Sequence, residues 1–219
     1  MADKKSTFLS MVLTLFLVTF ISASILGFVH DMTREAIETA KIKAQNDAIT
    51  SILPEFAELG KSIKTVPEEG GDSLEIFPAY NESKELIGVA VKTWSKNGFG
   101  GLIRLMAGFS PDGTITGYQV LEHKETPGLG SKMSTWFNDP AKPGQNIVGK
   151  NPANENLTVR KDGGDVDAIT ASTISSRAFL EAVRRAYDTY RAASSLMPAD
   201  QMNSQSEKTE GGAENEPME

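Results

Sequence analysis

Cysteine is absent from this 219-residue chain, and histidine is represented only by His30 and His123. The first absence excludes disulfides, thiolate zinc, iron–sulfur ligation and lipid carried on a thiol. The second excludes a histidine-rich metal centre. Redox chemistry in such a chain must therefore reside on an organic cofactor. Positive charge is also scarce: 22 Lys and Arg stand against 29 Asp and Glu, a net charge of −7 with no basic patch. That balance argues against nucleic acid as a partner. No Gly-x-Ser-x-Gly run is present, and no serine lies in the setting of a hydrolase nucleophile elbow.

Charge of either sign is missing from Phe8 to Val29. As a helix this run is about 33 Å long, enough to cross a bilayer core. Lys4 and Lys5 precede it and Asp31 follows, so the positive-inside rule places the N-terminus in the cytoplasm and the following domain outside. Ser22-Ala23-Ser24 offers the alternative of a cleaved signal peptide, but the apolar run exceeds the usual length of a signal h-region. Ser10, Thr14, Thr19 and Gly27 form a helix-packing face or are tolerated polar positions. The expected organisation is an anchor over residues 1–30, an extracytoplasmic domain over 31–197 and a disordered acidic tail over 198–219.

Ala36, Ala40, Ala44, Ala48 and Ile52 recur every four residues, a helical stripe that Pro54 ends. Thr65 to Asp72 reads as a loop. Strands are expected at Leu74–Ala79, Leu86–Trp94, Leu102–Phe109 and Thr114–His123, with a late one at Leu157–Arg160. Asn97-Gly98 and Ser110-Pro111-Asp112-Gly113 are turn signals, and short turns imply antiparallel pairing. Ala178, Phe179, Ala182, Val183, Ala186, Tyr187 and Tyr190 share one helical face, which predicts a helix over Ser175–Ala193. The fold class is α+β: an antiparallel or mixed sheet with packed helices behind one N-terminal transmembrane helix.

Three segments carry candidate chemistry. Asn97-Gly98-Phe99-Gly100-Gly101 permits close backbone approach, and a plain hairpin turn explains it as well. Glu125-Thr126-Pro127-Gly128-Leu129-Gly130 places Pro and Gly at the centre of a type II turn. A flat ring fits against such a backbone, with Leu129 as an apolar contact; a strand-ending turn with an exposed Glu125 is the plainer reading. The third segment runs from Asp167 to Ser176 and concentrates Thr170, Ser172, Thr173, Ser175 and Ser176 ahead of the last helix. Hydroxyls there face free N–H groups and the positive end of the helix dipole, where phosphate binds. Ordinary N-capping also selects Ser and Thr. Trp94, Trp136 and Tyr118 are further aromatic candidates for a ring contact or for the core.

In this order, behind one membrane span, Gly98-Phe99-Gly100-Gly101, Glu125 to Gly130 and Asp167 to Thr173 resemble the FMN-binding domain of bacterial ion-pumping redox complexes. The pattern is most similar to the G subunit of the Rnf electron-transport complex, with the C subunit of the sodium-pumping NADH:quinone reductase as a near relative. The resemblance implies FMN held by a phosphoester to a threonine, installed by a flavin transferase on the pattern Asp, two residues, Ser/Thr, Gly, Ala, Thr, one residue, Ser/Thr. Asp167, Thr170, Thr173 as acceptor and Ser175 match that pattern; Ala171 stands where Gly is usual and Ser172 where Ala is usual. The cofactor-binding residues it implies are Thr173, Asp167, Thr170, Ser172, Ser175, Glu125, Thr126, Pro127, Gly128, Leu129 and Gly130. It further implies a redox subunit that is not catalytic alone. Its setting is a single pass through the bacterial inner membrane, with the other subunits of the complex as partners. In that complex, electron transfer between ferredoxin and NAD is coupled to ion translocation. The competing expectations are a quinone-reductase C subunit, which tends to be longer, and a non-redox tethered module with an empty site.

Overall fold

The computed structural model describes residues 8–67 and 70–194; Lys4, Lys5 and the acidic tail expected from residue 198 lie outside them. The chain divides into two units, Met1–Ala44 and Gln45–Glu219. The first consists, among the described residues, of helix α1, which spans Phe8–Ile52 and so continues into the second unit. The anchor and the alanine stripe are one helix. No proline interrupts them, and Gly27 is the sole glycine. The apolar side chains from Phe8 to Val29 are exposed on the chain itself, as surface meant for lipid must be. Thr14 donates to the Ser10 carbonyl at 2.7 Å, Thr19 to Leu15 at 2.9 Å and Ser24 to Phe20 at 2.8 Å. These hydroxyls satisfy themselves inside the helix, which a bilayer requires. The expectation that the alanine stripe packs closely holds only at its end. Ala36, Ala40 and Ala44 are exposed, while Ala48, Ile49 and Ile52 are buried.

The second unit is built on an antiparallel sheet. Its strands are β1 (Glu58–Leu59), β2 (Ile63–Thr65), β3 (Leu74–Tyr80), β4 (Leu86–Gly98), β5 (Gly101–Phe109) and β6 (Ile115–Glu122). The order is β1-β3-β4-β5-β6, with β2 also pairing β3. Helices α2 (Met133–Trp136) and α3 (Thr173–Ser194) follow. Period-two alternation sends Val89, Val91 and Thr93 to one face, all buried, and α3 covers it: Thr93 Oγ1 donates to the Ala182 carbonyl at 3.0 Å. Ala79, Ala90 and Met106 lie on the other face with Ala48, Ile49 and Ile52 from the end of α1. Thr116 Oγ1 donates to the Ile52 carbonyl at 2.6 Å, satisfying a helix end that has no intrahelical donor.

Beside that covered face, α3 is fixed to β4 by charge as well as by apolar burial. Glu181 accepts from Ser95 at 3.1 Å, Asn97 at 2.8 Å and Arg185 at 2.7 Å. Burial acts to raise its pKa, but these hydrogen bonds and the Arg185 charge outweigh it and hold the carboxyl below the usual range. Tyr118 is a core residue: its hydroxyl donates to the Met133 carbonyl and accepts from the Phe137 N–H, and burial pushes its phenol up.

Four corrections to the sequence expectations follow from packing. Leu157–Arg160 forms no strand. Leu157 and Val159 are buried, but the chain turns back through a short 3-10 helix at Arg160–Asp162, leaving only a single bridge from Val159 to Val166. The hairpin turn lies at Phe99-Gly100, because β4 runs on to Gly98, which pairs with Gly101. The last helix begins at Thr173, two residues before Ser175. The Thr65–Asp72 loop is entered by strand β2, which is three residues long.

Candidate functional site

Three chain segments distant in sequence meet around one open cleft of about 350 Å³. It is lined by Phe99, Glu125, Thr126, Leu129, Gly130 and the run Ala171, Ser172, Thr173, Ile174 and Ser175. The Phe99-Gly100 turn supplies one wall and the 125–130 segment another. In that segment Leu129 N–H bonds the Thr126 carbonyl at 3.2 Å, and Gly128 has φ of +73° at the third position, the geometry of a type II turn. The start of α3 supplies the remaining wall.

The cleft rim is unusually apolar for this surface. Beyond α1, the exposed large apolar side chains among the described residues are Val66, Phe99, Leu129 and Ile174. Three of these four lie at the cleft: Phe99, Leu129 and Ile174, at 70%, 40% and 49% exposure respectively. One comes from each wall. Exposed apolar side chains gathered this way mark an interaction or ligand-binding site.

The polar side of the cleft is the start of α3. Ser172 is its N-cap: the Ser172 carbonyl accepts the Ser176 N–H at 3.0 Å. Ser176 Oγ donates to that same carbonyl at 3.0 Å and accepts from the Ile169 N–H at 2.9 Å. Ser175 Oγ donates to Glu125 at 2.5 Å. Two of the hydroxyls in this segment are therefore engaged. Thr173, half-buried on the first helical turn, and Ser172, 8% exposed, line the cleft. The N–H groups of that turn have no intrahelical acceptor, so an anion is favoured there.

The other expected site residues lie apart from the cleft lining. Thr170 is exposed outside it. Asp167 pairs with Arg160 at 2.5 Å, its N–H bonds the Gly144 carbonyl at 2.6 Å and its own carbonyl accepts from Trp136 Nε1 at 2.9 Å. It fixes where the hydroxyl-rich segment begins. Pro127 and Gly128 shape the turn and do not line the cleft. Glu125 is 5% exposed, so the plain reading with this carboxylate in solvent does not hold. Lys96 and Arg185 both lie over the Trp94 ring, and neither tryptophan nor Tyr118 is among the cleft-lining residues. Phe99, Ala171 and Ile174 are cleft residues absent from the expected set. For Phe99 the signal was present: a large apolar side chain flanked by glycines at a hairpin tip.

Ala171 has φ of +61°. The Ser172 N–H bonds the Ile169 carbonyl at 2.9 Å, so Ala171 sits third in a tight turn that calls for a left-handed residue. This is the physical reason for Gly at that place. The left-handed region costs Ala about 1–2 kcal/mol, partly offset by the greater chain entropy that Gly loses. Ala171→Gly is expected to stabilise the unit by about 0.5–1 kcal/mol, read as a raised denaturant midpoint at constant slope.

The residues present fit FMN: hydroxyls and free N–H groups for its phosphate, and an apolar rim for its ring. The model of the FMN-binding domain family matches residues 98–188, from the first wall to α3. The chain is 33% identical over 190 residues to the G subunit of an ion-translocating oxidoreductase complex from Methanosarcina acetivorans, covering 86% of this chain and 96% of that protein. It is 30% identical to the G subunit of the Na(+)-translocating ferredoxin:NAD(+) oxidoreductase complex of Acetobacterium woodii, over 82% and 89% of the two chains. Against the solved structure of the C subunit of the Na(+)-translocating NADH-quinone reductase from Parabacteroides distasonis the TM-score is 0.38 at 21% identity. That match covers 54% of this chain and 61% of that one. By length and identity together, the chain belongs to the family of G subunits of ion-translocating oxidoreductase complexes.

Proposed function

We propose that this chain is the FMN-bearing electron-transfer subunit of a membrane complex that couples electron transfer between ferredoxin and NAD to ion translocation. The observation that carries the reading is the cleft, where Thr173, on the first turn of a helix, lines the same space as an apolar rim. Bound FMN supplies the electron chemistry; the protein supplies position and electrostatics. Thr173 holds the phosphate as an ester. A flavin transferase joins the two: as the Thr173 Oγ1–P bond forms, the pyrophosphate P–O bond of FAD breaks. AMP leaves and takes up the hydroxyl proton. The first-turn N–H groups of α3 would offset the phosphodiester charge, and Phe99, Leu129 and Ile174 would offer apolar contact to the ring.

The Phe8–Val29 part of α1 anchors the subunit, and the Lys4-Lys5 pair places its N-terminus in the cytoplasm. That single pass leaves the flavin domain, from residue 31 onward, on the outer side of the bacterial inner membrane beside the other subunits. The near-complete coverage of the G-subunit relatives favours this reading over a quinone-reductase C subunit. An empty tethered module would carry no flavin. Chain extracted from its native membrane and denatured is expected to retain flavin absorbance, and a colourless chain would overturn the proposal.

A further inference from the structure

Glu125 holds the cleft together. One buried carboxylate serves all three walls. Its Oε1 accepts the Gly100 N–H at 2.9 Å, from the hairpin tip, and its Oε2 accepts the Ser175 hydroxyl at 2.5 Å, from the first turn of α3. The partners lie 25 and 50 residues away in sequence. Both are donors, which matches the acceptor-only character of a carboxylate, and such charge-assisted bonds are roughly twice as strong as neutral ones. The space around it is made to measure. A Cβ on Gly98 would stand 2.5 Å from Oε1, and one on Gly130 would stand 2.6 Å from Oε2 and 2.5 Å from Ser175 Oγ. The Glu125 backbone is itself held, its N–H directed to His123 Nδ1 at 3.2 Å.

The bond to Ser175 has a chemical consequence. Ser175 and Thr173 both line the cleft within the first turn of α3. Ser175 commits its proton to Glu125, whereas Thr173 makes no side-chain hydrogen bond among the described residues. We propose that Glu125 is a positioning residue that selects the flavin-attachment site. It docks the hairpin tip onto the helix start and engages the Ser175 hydroxyl, leaving the Thr173 and Ser172 hydroxyls, and not that of Ser175, for the phosphate. This inference rests on the flavin reading above, and gives Glu125, expected there as a cofactor-binding residue, a positioning role instead.

Glu125→Gln separates positioning from support. Glutamine keeps the volume and one acceptor oxygen for Gly100, but turns an amide donor toward Ser175. The serine must then accept, and its proton is free. The full-length chain and its Glu125→Gln and Glu125→Ala variants, each produced with a flavin transferase, are compared by thermal unfolding and by fragment mapping of the flavin-bearing peptide. The expected pattern is a split. Glu125→Gln recovers most of the unfolding temperature lost in Glu125→Ala, yet its flavin occupancy at Thr173 falls several-fold and a measurable share moves to Ser175. Glu125→Gln combined with Ser175→Ala returns all remaining flavin to Thr173. If Glu125→Gln carries wild-type occupancy wholly on Thr173, or if occupancy and unfolding temperature fall together in both variants, Glu125 is structural support only and the inference is overturned. A wild-type chain with no flavin would instead overturn the functional reading, so the two failures are distinguishable.

Discussion

Thr173→Ala abolishes covalent flavin while leaving the fold intact: this is the largest effect expected from a single substitution. The denatured variant, made with a flavin transferase, should show no flavin fluorescence on a gel where wild type is bright. The fold survives because Thr173 is the first residue within α3 and not its cap. The Ser172 carbonyl accepts the Ser176 N–H and hydroxyl, and Ser176 Oγ accepts the Ile169 N–H, so the anchoring of the helix start does not use the Thr173 side chain, and alanine is the better helix former. Stability should change by less than about 0.5 kcal/mol, as for substitutions away from caps and buried networks. Thr173→Ser retains a hydroxyl and should retain flavin. A Thr173→Ala chain that stays fluorescent would move the attachment to Ser172, which also lines the cleft, or to Thr170.

Gly100→Ala should cost about 3 kcal/mol and empty the cleft. A Cβ on Gly100 would lie 2.0 Å from the Lys124 carbonyl oxygen and 2.5 Å from its carbon. Both are backbone atoms, which cannot turn aside as a side chain can. The hairpin tip must lift, and lifting it breaks the Gly100 N–H bond to the buried Glu125. That leaves a buried carboxylate oxygen short of a donor, a loss of about 1–3 kcal/mol, in addition to overpacking of similar size. For a unit of this size the unfolding temperature should fall by about 6–12 °C. Gly101→Ala is the control. Gly101 has φ of +94° but nothing within 4 Å of a Cβ, so it should cost only about 1–2 kcal/mol of backbone strain. Equal effects from the two substitutions would contradict the contact to Lys124.

The sequence was most legible where structure is local. The Pro127-Gly128 turn, the Ser110–Gly113 turn with its Gly113 N–H bonded to the Ser110 carbonyl at 2.9 Å, and the amphipathic face of α3 are each set within a few residues. Four of the six strands were readable for the same reason, from alternation bounded by turns. The short strands at Glu58–Leu59 and Ile63–Thr65 were not, because they pair along a partner, β3, and carry no pattern of their own. Leu157 and Val159 show the converse: alternation and burial without a strand beside them to complete a ladder.

The site divides along the same line. Its composition was visible as glycines and hydroxyls in three segments. Its assembly was not, since burial of Glu125 depends on Gly100 and Ser175, and nothing near residue 125 announces either. The roles of the motif residues separate only in three dimensions. Asp167 is tied to Arg160, Gly144 and Trp136 away from the cleft lining, while Ala171 shows by its positive φ why glycine suits that place.

The most direct test is a mass measurement on chain taken from its native membrane. Trypsin cuts after Lys161 and Arg177, releasing the peptide that spans Asp162 to Arg177. That peptide is predicted to carry one FMN joined by loss of water, with fragment ions placing it on Thr173. Recovery of the peptide wholly unmodified, or with the flavin on another residue, would contradict the account.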